Sequence, residues 1–85
     1  MQRLGRTAEA VEEYRRALRV KGDAAEAHHN LGCALLVLRR IDEAAVALRR
    51  ALALRPNDAA TLDALGYAVA ELGAEEEALV LFERS

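Results

Sequence analysis

Residues 25–58 read AEAHHNLGCALLVLRRIDEAAVALRRALALRPND, and this 34-residue stretch decides the fold because its landmarks recur on both sides at the same spacing. Leu31-Gly32 returns as Leu65-Gly66. Ala44 is matched by Ala10 and Ala78, and Leu48, four residues later, by Tyr14 and Phe82. Glu43 has Glu9 and Glu77 as counterparts, and Leu38 has Leu4 and Leu72. A fixed period of this length marks an array of stacked units, each able to bury its apolar face only against a neighbour. The fold expected is all-α, an α-solenoid of antiparallel helix hairpins, and the functional question turns towards a binding surface.

The local pattern is helical throughout. Residues 41–54 place Ala44, Ala45, Leu48, Ala51 and Leu52 at i, i+1, i+4, i+7 and i+8, one apolar stripe of an amphipathic helix. Residues 7–21 repeat it with Ala10, Val11, Tyr14, Ala17 and Leu18. Further helices are expected over 24–38, 59–72 and 75–85, and residues 1–4 read as the last turn of another. The breaks fall at Gly22, at Arg39-Arg40, at Pro56 and at Gly73. Proline removes a backbone donor and constrains the residue before it, so the third helix must stop there. Asp23 with Glu26 reads as a capping box, and Asn57-Asp58 offers cap residues for the helix that follows. Breaks this short force neighbouring helices into antiparallel hairpins. No stretch alternates with period two, so no strand is expected. The chain reads as one domain, with 1–24 a partial repeat, 25–58 a full one and 59–85 a nearly full one.

Composition narrows the function. The formal net charge is -2, without the basic excess that would favour nucleic acid or an anionic membrane surface. No run of about 18 apolar residues predicts a transmembrane helix. Cys33 is the sole cysteine, which excludes an internal disulfide. Residues 1–6 lack the apolar core of a signal peptide. A cytoplasmic setting is expected.

The middle repeat reads His28-x2-Leu31-Gly32-x2-Leu35, then Ala44-x3-Leu48-x2-Ala51, then Pro56. The third reads Leu62-x2-Leu65-Gly66-x2-Val69, then Ala78-x3-Phe82. In these residues the chain resembles tetratricopeptide repeat proteins, whose signature is W-x2-L-G-x2-Y, then A-x3-F, then P. It departs from that pattern where His28 and Leu62 replace the aromatic, where Leu35 and Val69 replace the tyrosine, and where Arg39 occupies the column of Gly5 and Gly73.

The columns also have a physical reason. Gly32 and Gly66 let the first helix of a hairpin approach the second near Ala44 and Ala78. Ala17 and Ala51 do the same against the following hairpin. Tyr14, Leu48 and Phe82 fill the gaps these small residues leave. A first unit without its first helix leaves Ala10, Tyr14 and Ala17 uncovered. That incompleteness leads us to expect either a piece of a longer array or completion by another copy.

The resemblance implies a protein-interaction module that holds an extended or helical peptide on a concave side lined by the first helix of each hairpin. By register, the positions implied are Glu26, His29, Asn30, Cys33, Leu36 and Val37 in the middle repeat. The third repeat adds Ala60, Asp63, Ala64, Tyr67, Ala70 and Glu71, and the partial repeat adds Gln2 and Arg3. The partner-binding set proper is Glu26, His29, Asn30, Cys33, Val37, Asp63, Tyr67 and Glu71. The family's carboxylate clamp for chaperone tails needs basic and asparagine residues where this chain has His29, Cys33, Asp63 and Tyr67, so that partner class is rejected. A partner segment with apolar anchors and a basic residue suits a groove that carries Asp63 and Glu71.

Chemistry of other kinds finds little support. His29 and Cys33 stand at i, i+4 and could share a metal, but two ligands are too few and His28 belongs to the packing column. Cys33 with His29 as base would also need an orienting group and an oxyanion site. His29 is expected to face outwards. Glu75, Glu76 and Glu77 suit the start of a helix dipole, and Arg15-Arg16 and Arg49-Arg50 read as a solvated outer face. We expect no catalysis, no metal and no cofactor; the partner is a protein or peptide, with no nucleic acid and no membrane. Two alternatives stand beside this reading. The repeats would be the docking region of a larger enzyme such as a transferase, or an oligomerisation element completed by a second copy.

Overall fold

The computed structural model describes residues 2–85, with side chains described from residue 5 onward. Five helices follow one another: α1 Gln2–Val20, α2 Ala25–Val37, α3 Ile41–Leu54, α4 Ala59–Glu71 and α5 Glu75–Arg84. Among the described residues there is no strand. Helices α2 and α3 form one hairpin and α4 and α5 a second, stacked so that each helix packs on its chain neighbours and α2 also reaches α4. The expected all-α solenoid of about two and a half repeats is what the chain forms.

The two hairpin turns are built alike. After α2, the Arg40 N–H donates to the Leu35 carbonyl at 2.9 Å and the Arg39 N–H to Leu36 at 3.0 Å. After α4, the Ala74 N–H donates to Val69 at 2.8 Å and the Gly73 N–H to Ala70 at 3.0 Å, 34 residues on. This double closure puts one residue in the left-handed region, at φ 62° for Arg39 and φ 92° for Gly73. Glycine takes that conformation freely, whereas arginine does so at a cost of roughly 1–2 kcal/mol.

Gly5, in the same column, behaves differently. The break expected there is absent, and α1 runs straight through it. Helix continuation then costs only the glycine propensity of about 1 kcal/mol. The caps also differ from expectation. The residue before α2 is Ala24, with no side-chain cap, so Asp23 and Glu26 make no capping box. Asp58 does precede α4, but its carboxylate accepts from the Thr61 hydroxyl at 2.8 Å and not from a backbone N–H.

Two apolar clusters make the core. Val11, Leu31, Leu35, Ala44 and Ala47 join α1, α2 and α3. Ala45, Leu48, Leu62, Leu65, Ala68, Val69, Ala78 and Leu81 join α3, α4 and α5. Leu36 packs against both clusters, which makes it a core residue and not the groove residue expected. Ala64 likewise packs on the second cluster. A Cβ on Gly32 would lie 2.5 Å from Leu48 Cγ and 3.3 Å from the Ala44 carbonyl oxygen, so close approach of α2 to α3 requires the glycine. The gap is therefore filled chiefly by Leu48. Ala51 is buried as expected, whereas Ala17 is exposed.

Candidate protein-interaction surface

The expected groove residues do not share one environment. Asn30, Cys33 and Val37, on one face of α2, stand opposite Arg6, Thr7, Ala10 and Tyr14 of α1 across an open cleft of about 640 Å³ floored by Ala34. The α1 side of this cleft was not among the expected positions. Its signal was available, since Ala10 and Tyr14 belong to columns that hairpins must cover. Gln2 and Arg3, also expected here, have side chains outside the described residues.

His29 is not the outward-facing residue expected. Its Nδ1 is 3.0 Å from Thr61 Oγ1, and that hydroxyl donates onward to Asp58 Oδ2. Thr61 has spent its one proton on the carboxylate, so it must accept from the ring, which makes Nδ1 the protonated nitrogen. Nε2 is left as an acceptor for the Cys33 thiol at 3.5 Å. The chain Asp58–Thr61–His29–Cys33 thus braces α2 against the start of α4. Burial pushes the Cys33 thiol up from its ordinary value. A nucleophilic cysteine needs the opposite shift. Among the described residues no group of three or more His, Cys, Asp or Glu is placed to hold a metal ion.

On α4, Tyr67 and Glu71 lie side by side and share one cation. Arg39 donates to the Tyr67 hydroxyl at 2.8 Å and to Glu71 Oε2 at 2.9 Å. The hydrogen bonds to Glu71 and to Tyr67 push the Arg39 guanidinium up from its ordinary value. Glu71 is accordingly already paired. Asp63, exposed on α4, has no such partner among the described residues. Glu26 sits at the other end of α2, beside Lys21 and Arg55 of the loops and Leu54 at the end of α3. Ala60 and Ala70 are exposed.

A second regularity links α1, α3 and α5. Arg15 of α1 pairs with Glu43 of α3 at 3.2 Å, and Arg49 of α3 pairs with Glu77 of α5 at 2.7 Å. The arginines hold both carboxyls below the usual carboxylate range. Arg15 and Arg49 are therefore bridges between hairpins, not members of a merely solvated face. Both pairs span the same sequence separation of 28 residues, which the repeat columns would have revealed. The carbonyls that end α1 and α3 are also served by different means. The His28 Nε2–H donates to Gly22 O at 2.8 Å. Leu62 occupies the His28 position one repeat on and cannot donate, and there Arg84 supplies Pro56 O at 3.0 Å.

Comparison with known proteins agrees with this geometry. Residues 25–58 match the model described as tetratricopeptide repeat, and residues 3–37 match one described as TPR repeat. Among solved structures, the chain is similar to MamA AMB-1 (C2221), at 30% identity and TM-score 0.86 over 93% of this chain and 46% of that one. It is similar to MamA MSR-1 (C2) at 32% identity and TM-score 0.85, covering 93% and 45%. MamA AMB-1 (P212121) gives 29% identity and TM-score 0.88, covering 96% and 45%. The chain spans less than half the length of these MamA chains. Among curated proteins none matches the chain significantly. No helix among the described residues is long and apolar enough to cross a membrane.

Proposed function

The chain belongs to the tetratricopeptide repeat family, and on that premise we propose that it is a protein-interaction module that holds a peptide or partner segment along α2 and α4, without chemistry of its own. Its units in this reading are a partial repeat over 1–24, a full one over 25–58 and a nearly full one over 59–85. The observation that carries the proposal is the exposure of two large apolar side chains on neighbouring first helices, Val37 at 52% and Tyr67 at 43%. Around them stand Asn30 and Cys33 in the cleft and Asp63 on α4. Apolar anchors suit Val37 and Tyr67, and a basic side chain suits Asp63, since Glu71 is engaged by Arg39.

A peptide array that varies apolar spacing and one basic position tests this, with capture compared between the native chain and the Asn30→Ala, Tyr67→Ala double variant. The proposal predicts selection of apolar-plus-basic sequences and at least about a tenfold loss in the variant, the scale of roughly 1.4 kcal/mol. Equal capture by both chains, or indifference to both features, contradicts it.

A further inference from the structure

Between α1 and α3 lies a hollow of about 340 Å³, floored by Leu31 and Leu35 of α2. Arg15 and Leu18 of α1 wall it on one side, and Val46, Ala47 and Arg50 of α3 on the other. A second hollow, between α3 and α5, is lined by Arg49, Leu52, Leu65, Glu77, Leu81 and Arg84. Each of these stands 34 residues beyond a residue lining the first: Arg15, Leu18, Leu31, Glu43, Ala47 and Arg50. The hollow is thus a property of the repeat, formed where two second helices flank a first one. It shares no residue with the cleft of Asn30, Cys33 and Val37.

The two hollows differ in how their charges are engaged. Between α3 and α5, Arg49 holds Glu77 through two nitrogens, at 2.7 and 3.0 Å, and Arg84 donates to the Pro56 carbonyl. Between α1 and α3, Glu43 receives both Arg15 and Arg40, and Arg50 has no partner among the described residues. Arg15, Arg40 and Arg50 there face the single carboxylate of Glu43, which leaves a local positive excess. The apolar part differs too. Leu81 stands where the first hollow has the smaller Ala47, and Val46 on the rim of the first is 58% exposed.

Val46 and Arg50 are one turn of α3 apart, about 6 Å along its axis. A trough between two helices accepts a third laid along it. We propose that the α1–α3 hollow is a second docking site, which receives a helical segment of a partner protein. A leucine-sized side chain of that segment packs against Leu18, Leu35 and Val46, and an aspartate or glutamate one turn along reaches Arg50. An anionic membrane fits less well. A headgroup layer cannot enter a hollow between two helices, and Glu12, Glu13 and Asp42, exposed on the same two helices, would repel it. This site and the surface around Val37 and Tyr67 share no residue, so one chain can hold two segments at once.

The test titrates the 15N-labelled 85-residue chain with a synthetic alanine-based peptide, followed by amide shifts. The peptide has about 15 residues, long enough to form helix, and bears two leucines and two glutamates on one face. Saturation below about 1 mM is expected, with the largest shifts around Leu18, Val46 and Arg50. Val46→Asp should abolish binding. Arg50→Glu should weaken it at least fivefold, and a peptide with lysines in place of the glutamates should recover that loss. Both positions are exposed, so both variants should keep the native circular dichroism spectrum. Arg84→Glu, one repeat on, and Tyr67→Ala, on the α2–α4 surface, should each change the affinity less than twofold. Absence of saturation, or indifference to both Val46→Asp and Arg50→Glu, overturns the proposal. Shifts confined to α4 around Tyr67 also overturn it, and they leave the interaction reading of that surface standing. Phosphatidylserine vesicles in place of the peptide should leave the spectrum unchanged. Binding to them that is lost in Arg50→Glu would make the hollow a membrane contact and overturn the partner assignment.

Discussion

Leu48 on α3 and Tyr14 on α1 hold the same column of the repeat, yet Leu48 is fully buried and Tyr14 only partly so. Phe82, the third member, is 44% exposed. Leu48 has both neighbours, its own hairpin partner α2 and the following helix α4. Among the described residues Tyr14 has only the following helix, and Phe82 only its own partner α4, whose Gly66 it faces. In such an array a residue's burial is decided by the units on either side of it more than by its own chemistry. The larger side chains sit at the two ends, where each is covered from one side.

Substitutions in this column break the comparison most strongly. Leu48→Ala should cost about 2–5 kcal/mol, since it opens a cavity in a site with no room to collapse. Tyr14→Ala should cost about 1 kcal/mol, because part of the ring is already in water. Urea denaturation of the two variants measures the gap, and equal losses would mean that α1 is as well supported as α3. The glycines sharpen the same contrast at a smaller scale. A Cβ at Gly32 meets Leu48 Cγ, the branch point of a buried side chain, whereas a Cβ at Gly66 meets Phe82 Cε1 at 2.7 Å, the far edge of an exposed ring. Gly32→Ala should therefore destabilise by about 1–3 kcal/mol through overpacking. Gly66→Ala should come close to neutral, as the ring swings aside and the helix gains about 0.5–1 kcal/mol from losing glycine. Paired thermal melts of these variants check the order.

The repeat columns carried most of the fold. They located five of the helix-bearing segments, the Arg39 and Gly73 turns and the packing role of Gly32, because each depends on side-chain size at a fixed period. Gly5 misled for a physical reason. A glycine permits a left-handed turn but does not impose one, and only a helix packing back on α1 would have demanded it. The candidate site was less legible. Register placed Asn30, Cys33 and Val37 together on α2, but not Arg6, Thr7, Ala10 and Tyr14 across from them, since a cleft is a relation between two helices. His29 and Glu71 are claimed by Thr61 and Arg39 through hydrogen bonds from a neighbouring unit. Such contacts depend on rotamers that periodicity does not encode.

The most direct test of incomplete cover on α1 is native-state amide hydrogen exchange, resolved residue by residue. Protection tracks the packing that local opening must break. Amides at the α3 positions from Ala44 to Ala51 should exchange only through global unfolding. Those from Ala10 to Ala17 on α1 should exchange through a lower-energy local opening, at least about tenfold faster. Equal protection of the two helices would contradict the account.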